Sequence, residues 1–150
     1  MAAFIVVDAS VAGAWLFAEP YSANAQMVLA ALDAGRIVAL APDRFAEELL
    51  RVCQKKTLPP PDGAGVPPRD AWERWLRVVT SPLHLLSSDE LYERAWQLAF
   101  AARVSTHDAL YLALAERWGG ELWTLDDALA VRAVAAYPAV YDLRTTPFPH

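Results

Sequence analysis

The stretch Phe4-Ile5-Val6-Val7-Asp8 decides the fold of this 150-residue chain. Four apolar residues in a row, with no polar residue between them, are typical of a strand that is buried on both faces. A second run of the same kind, Ile37-Val38-Ala39-Leu40, indicates a second buried strand. The two runs predict a parallel sheet covered by helices, with the acidic side chain of Asp8 at the end of the first strand.

Strand and helix patterns alternate along the rest of the chain. We predict strands at 4–7, 37–40, 121–125 and 140–143, with a further one at 83–86, and helices at 10–17, 22–34, 43–56, 70–79, 91–99, 105–118 and 127–136. We expect Ser10 to cap the first helix, Ser87 and Glu90 to form a capping box, and Ser105 or Thr106 to cap a later helix. The predicted class is α/β: a three-layer α/β/α sandwich with a mostly parallel sheet of four to five strands, in one domain spanning 1–150.

Charge and cysteine content exclude several classes of protein. The chain has 18 acidic and 13 basic residues, a net charge of −5, which argues against a protein that coats duplex nucleic acid with a broad basic face. Its single cysteine, Cys53, rules out an internal disulfide and a cysteine-rich zinc site. No basic region precedes the short apolar run at Phe4, and no window approaches the roughly 20 apolar residues of a membrane span. We therefore expect a cytoplasmic protein without a membrane partner.

Two acidic residues follow predicted strands directly. Asp8 ends the first strand, and Asp126 ends the strand that begins at Glu121. In open α/β sheets, ligands collect at the carboxyl ends of the strands, where the helices begin. We therefore expect Asp8 and Asp126 to lie on the same edge of the sheet, although each of them alone could be a helix cap.

Two more acids lie on the apolar sides of predicted helices. Glu48 comes three residues after Phe45 and four before Val52, and Asp108 precedes Tyr111 by three residues. Charged carboxylates are rarely buried without a partner. Glu48 could pair with a basic side chain, and Asp108 could cap its own helix, so each position has a simple structural explanation.

Taken together, the four acids predict a metal site. Two like charges 4 Å apart repel by roughly 4 kcal/mol at an effective dielectric constant of 20, so converging carboxylates need protons or a cation. Oxygen ligands without histidine or thiolate companions favour Mg²⁺ or Mn²⁺ over Zn²⁺.

The same residues resemble a known family. The quoted stretches are Val6-Val7-Asp8-Ala9-Ser10-Val11, Pro42 followed six residues later by Glu48, Asp108-Ala109-Leu110-Tyr111-Leu112-Ala113-Leu114-Ala115, and Thr124-Leu125-Asp126. Their types and spacing are similar to those of PIN domains, specifically the VapC-type toxins. The resemblance implies an α/β/α sandwich and a Mg²⁺- or Mn²⁺-dependent endoribonuclease, the toxin of a type II toxin–antitoxin pair. It carries the catalytic and metal-binding acidic quartet onto Asp8, Glu48, Asp108 and Asp126, with hydroxyls of Ser10 and Thr124 in support.

Partners follow from this interpretation. RNA is the expected substrate, and the candidates for contact with it are Arg44, Arg51, Lys55 and Lys56. Trp72 and Trp75 could receive a helix of a partner protein, which the resemblance makes an antitoxin. We also expect a homodimer. The sequence departs from the family pattern at Arg51, where asparagine is common, at His107, where tyrosine is common, and in the length of the Pro-rich loop 57–68.

Two alternatives stay open at this stage. A receiver-like signalling module also gathers carboxylates around Mg²⁺, but it needs a lysine late in the chain, and none follows Lys56. A catalytically degenerate PIN domain that acts only as a binding partner would keep the fold without the activity. A phosphatase of the haloacid dehalogenase type is disfavoured because Asp8 is followed by Ala9-Ser10 rather than by a second aspartate at the next position but one.

Overall fold

The computed structural model describes residues 2–150, which form one parallel sheet flanked by helices. The strands are β1 (Ala3–Val7), β2 (Ile37–Pro42), β3 (His84–Leu86), β4 (Glu121–Thr124) and β5 (Val140–Asp142). The helices are α1 (Ala9–Leu16), α2 (Ser22–Asp33), α3 (Arg44–Thr57), α4 (Pro68–Val79), α5 (Tyr92–Ala102), α6 (Thr106–Trp118) and α7 (Asp127–Ala133).

The order of the strands explains how the site is positioned. The sheet runs β3-β2-β1-β4-β5, and each neighbouring pair is parallel. The chain moves outward from β1 to β2 and β3, then returns through α5 and α6 to β4 and continues outward to β5. Because such crossovers are right-handed, α1–α4 cover one face of the sheet and α5–α7 cover the other. The strand order reverses between β1 and β4, which makes their carboxyl ends the switch point of the sheet.

The core follows from the apolar runs that predict the strands. Ile5, Val6 and Val7 are fully buried at the centre of the sheet, as expected for a strand covered on both faces. On one face, α6 packs against β1, β2 and β4, and its residues 109–115 are all buried. Ser105 caps this helix by accepting a hydrogen bond from the backbone N–H of Asp108 at 3.0 Å, as predicted. The α/β/α sandwich is confirmed, with five strands that are all parallel.

Two predicted helix caps are wrong. Asp8 rather than Ser10 caps α1, because its carboxylate accepts hydrogen bonds from the first backbone N–H groups of the helix. Ser87 and Glu90 form no capping box, since α5 begins only at Tyr92 and the Ser87 hydroxyl accepts from the N–H of Asp89 in the preceding turn. Within residues 2–150, none of the helices has the length and apolar character needed to cross a bilayer.

Candidate active site

Asp8 lies at the point where β1 passes into α1, and it is almost completely buried, with 7% of its surface exposed. Its Oδ1 accepts hydrogen bonds from the backbone N–H groups of Ser10 at 3.1 Å and Val11 at 3.4 Å, and from the Ser10 hydroxyl. Its Oδ2 accepts a hydrogen bond from the Thr124 hydroxyl. Burial raises the pKa of Asp8 to about 6, an increase that these donors oppose and that the charge of Asp108 strengthens.

The hydroxyls of Ser10 and Thr124 tie the ends of the two central strands together. The Ser10 oxygen accepts from the backbone N–H of Leu125 at 3.1 Å, and the Thr124 oxygen accepts from that of Asp126 at 3.0 Å. Because both hydroxyls also donate to Asp8, each one links the start of α1 to the segment after β4. The carboxylate of Asp8 is therefore fixed by hydroxyl groups that join the ends of β1 and β4.

Asp126 and Asp8 have the same local role. Asp126 caps α7, and its Oδ1 accepts from the backbone N–H of Leu129 at 3.2 Å. The capping explanation considered for each aspartate is thus correct as a description of local structure. Asp126 differs from Asp8 in that it is exposed.

Asp108 is the electrostatic link among the acids. It lies in the first turn of α6 and is half-buried. Burial is the main cause that raises its pKa, and the negative charges of Asp126 and Glu48 raise it further. Asp108 in turn helps to raise the pKa of Asp8. The four acids therefore interact across one edge of the sheet, although they come from four separate segments of the chain.

Glu48 has partners of its own on α6. The Tyr111 hydroxyl donates to its Oε1 at 2.8 Å, and His107 Nε2 lies 2.6 Å from the same oxygen. The side chain of Glu48 is 22% exposed, whereas Tyr111 is fully buried. The base that could pair with Glu48 is therefore His107. Sequence reasoning missed Tyr111, whose signal was a single hydroxyl on the buried stripe of an otherwise apolar helix segment.

The four acids share one rim but are not packed into a single cluster. Across residues 2–150, no three side chains from acids, histidines and cysteines are close enough to hold one metal ion jointly. In the same range, no lysine or arginine forms an ion pair with Asp8, Asp108 or Asp126. An all-oxygen set of carboxylates, two of which have raised pKa values, suits a hard divalent cation chemically.

The basic candidates fall into two groups. A cleft of about 220 Å³ beside the acids is lined by Ala9, Glu48, Arg51, Val52, Lys55 and His107. Arg44 lines a neighbouring cavity that His107 also borders. Lys56 points elsewhere, because its Nζ pairs with Glu19 at 2.8 Å and lies over the ring of Phe17.

The fold and this rim define a class of protein: a doubly wound α/β domain with a carboxylate-lined edge at its switch point. The PIN domain family model matches residues 5–135, and the chain belongs to the PIN domain family. Ribonuclease VapC3 of Pyrobaculum aerophilum is 30% identical over 126 residues, which cover 84% of this chain and 92% of that protein. Ribonuclease VapC9 of Mycobacterium tuberculosis is 32% identical over 134 residues, which cover 89% and 94%.

A solved structure shares the fold at lower sequence identity. A toxin–antitoxin complex from Klebsiella pneumoniae matches with a TM-score of 0.63 and 18% identity, and the match covers 93% of this chain and 97% of that one. At this identity the likeness concerns the fold alone. Membership of the PIN family decides against the receiver-like alternative.

Proposed function

We propose that this protein is a divalent-metal-dependent endoribonuclease and the toxin of a type II toxin–antitoxin pair. One observation carries the proposal: a PIN-family fold brings four acids to its switch point and leaves three of them without a basic partner among residues 2–150. VapC3 and VapC9, which are named ribonucleases and match most of the chain, support the same activity.

In this proposal Asp8, Glu48, Asp108 and Asp126 hold Mg²⁺ or Mn²⁺. When bound, the ion supplies a Lewis acid that activates water and neutralises charge at the scissile phosphate. The chain supplies the orientation of the carboxylates: the hydroxyls of Ser10 and Thr124 fix both oxygens of Asp8. The expected products carry a 5′-phosphate and a 3′-hydroxyl.

RNA reaches the acids along basic side chains. Arg51 and Lys55 line the cleft beside Glu48, and Arg44 lines a second cavity that His107 also borders. Such residues attract and orient the phosphate backbone without reading its sequence. They compensate locally for a chain whose net charge is −5.

The antitoxin is proposed to bind between α3 and α4. A cavity of about 490 Å³ there is lined by Glu47, Leu50, Arg51, Cys53, Gln54, Thr57, Pro68, Ala71 and Trp72. Trp72 is half exposed and stacks on Trp75, with ring centroids 5.0 Å apart. An amphipathic helix that places its apolar face in such a groove buries these rings. Because Arg51 lines both this cavity and the cleft beside Glu48, a helix bound here would cover part of the path of the RNA.

The second proposed partner is another copy of the chain. On α5, three aromatic side chains spaced four residues apart form one stripe: Tyr92, Trp96 and Phe100 are 56%, 60% and 67% exposed. Large exposed aromatic patches are typical of protein–protein contacts. A cytoplasmic location completes the proposal and rests on the single buried cysteine, Cys53.

The test uses the purified chain without any antitoxin. An end-labelled RNA is incubated with Mn²⁺ or Mg²⁺, with and without EDTA, and the ends of the products are identified. We expect cleavage that stops on chelation and leaves 5′-phosphates. Cleavage that survives EDTA contradicts the metal-dependent mechanism. A folded protein that binds Mn²⁺ and cuts no RNA supports the degenerate alternative instead.

A further inference from the structure

Two residues of α6 hold a single oxygen of Glu48, which lies on α3. His107 and Tyr111 are four residues apart, so they occupy the same side of the helix. The Tyr111 hydroxyl donates to Oε1 of Glu48 at 2.8 Å, and His107 Nε2 lies 2.6 Å from that atom. Both contacts are made to Oε1, which leaves Oε2 of Glu48 for a ligand.

Tyr111 is an unusual residue for its surroundings. It is 1% exposed and lies within a run of alanines and leucines on a helix that packs against three strands. A buried tyrosine hydroxyl needs a hydrogen-bond partner, and phenylalanine would fill the same space without that requirement. Burial, followed by the charge of Glu48, raises the pKa of Tyr111, so the hydroxyl remains the donor and Glu48 the acceptor.

The contact also bridges the two faces of the sheet. Helix α3 belongs to the layer formed by α1–α4, and α6 belongs to the opposite layer. The hydrogen bond from Tyr111 therefore fixes Glu48 relative to Asp108, which lies three residues before Tyr111 on the same helix. Residues that orient a metal ligand through its other atom commonly change metal affinity by about 10- to 100-fold when removed.

We propose that Tyr111 is a positioning residue that holds Oε1 of Glu48 so that Oε2 faces a divalent cation. This inference rests on the proposed function, since it assumes that Glu48 is a ligand. Tyr111 acts through Glu48, and His107 shares the same oxygen from the solvent side, where its side chain is 34% exposed.

The experiment is a double-mutant cycle on the full chain, read as Mn²⁺ affinity by titration calorimetry. Tyr111→Phe keeps the ring and removes only the hydroxyl. Tyr137→Phe is the matched control, because the Tyr137 hydroxyl donates to the backbone carbonyl of Gly120 and not to an acid. Each change is made in the parent and in the Glu48→Gln background, and RNA cleavage is a second readout.

We expect Tyr111→Phe to weaken Mn²⁺ binding about tenfold or more in the parent and to have no further effect in the Glu48→Gln background. Tyr137→Phe should leave Mn²⁺ affinity within about twofold of the parent. If Mn²⁺ binding to the Glu48→Gln protein is too weak to measure, Glu48→Asp, which keeps the charge and shortens the side chain, provides the second background.

Two results overturn the inference. If Tyr111→Phe binds Mn²⁺ as well as the parent, the hydroxyl does not position Glu48, and the proposed function is untouched. If the loss is equally large with and without Glu48, Tyr111 acts through packing rather than through the carboxylate. A parent protein that binds no Mn²⁺ and cuts no RNA refutes the proposed function itself, and the inference falls with it.

Discussion

Two groups of acids lie at the carboxyl edge of the sheet, and pKa values in the two groups are shifted in opposite directions. At the end of β5, Asp142 accepts hydrogen bonds from Arg144, which also lies 3.3 Å from Asp127. These contacts lower the pKa of Asp142, chiefly through the hydrogen bond from the Arg144 side chain. At the end of β1 and in the first turn of α6, burial raises the pKa values of Asp8 and Asp108. We call the first group the neutralised acids and the second, with Glu48 and Asp126, the switch-point acids.

The difference separates structural acids from candidate ligands. Both neutralised acids form an ion pair with Arg144, so each of them has a cationic partner within the chain. The switch-point acids have no lysine or arginine partner within residues 2–150. The two groups are adjacent in the chain, because Asp126 belongs to one group and Asp127 to the other. Acid composition alone does not distinguish the groups. The two groups differ in whether an arginine or lysine side chain of the protein already forms an ion pair with the acids.

The largest expected effect is on RNA cleavage. Asp108→Asn should lower the rate by roughly 100-fold or more, because each tenfold corresponds to about 1.4 kcal/mol of transition-state stabilisation and a metal site supplies several. Asp142→Asn should stay within about threefold of the parent. Initial rates with Mn²⁺ measure both, and circular dichroism checks folding. Equal losses in the two variants would remove the distinction between the groups.

The second effect is a dependence of stability on pH that has opposite signs in the two groups. The pKa of Asp8 rises from 3.8 to about 6 on folding, so the folded chain binds the extra proton and the free energy of unfolding falls as pH rises from about 4 to 6. The full shift corresponds to about 3 kcal/mol. Asp8→Asn has no carboxyl group to ionise at this position, so its free energy of unfolding does not show this fall. Without metal, the variant should therefore become more stable relative to the parent as pH rises.

The neutralised acids provide the contrast. Because the pKa of Asp142 is lowered on folding, its stabilising contribution is present at neutral pH and is lost as pH falls below its usual range. Asp142→Asn should therefore be less stable than the parent at pH 7, with the difference shrinking in acid. Urea unfolding in EDTA between pH 3 and 8 measures both variants. If the free energy of unfolding changes with pH in the same way for Asp8→Asn and the parent, burial does not raise the pKa of Asp8.

The smallest effect is stabilisation by the cation. Mn²⁺ at 100 times its dissociation constant should raise the free energy of unfolding by about 2.7 kcal/mol, because only the folded chain brings the switch-point acids together. Thermal unfolding with and without Mn²⁺ measures this increase. Asp142→Asn should retain it and Asp108→Asn should lose most of it. Retention by both variants would indicate that Mn²⁺ binds elsewhere on the protein.

Much of the fold could be predicted because it follows from apolar periodicity. The runs at Phe4 and Ile37 form β1 and β2 as expected, and the acids after β1 and β4 share an edge because parallel strands must place their ends together. Spacing alone predicts that Glu48 lies on the buried side of its helix, and it is half-buried there. Helix positions and strand ends are local properties, so the sequence carries them directly.

Side-chain partners could not be predicted in the same way. The contact between Tyr111 and Glu48 joins residues 63 positions apart, and no periodicity encodes it. The same holds for Lys56, which turns toward Glu19 rather than toward the acids. The capping box at Ser87 is wrong because that motif requires a helix that begins at residue 88, whereas α5 begins four residues later, at Tyr92. That residues 1–150 form a single domain stays a prediction, as does the assignment of the ligands.

The most direct test of the central claim is to locate the cation itself. Crystals of the full chain grown with Mn²⁺ and measured near the manganese absorption edge reveal the ion by its anomalous scattering. We predict a peak bounded by Asp8 and Asp108, about 2.2 Å from carboxylate oxygens of the switch-point acids. A peak beside Asp142 and Asp127, or no peak at the switch point when Mn²⁺ is saturating, would contradict the claim that the switch-point acids bind a divalent cation.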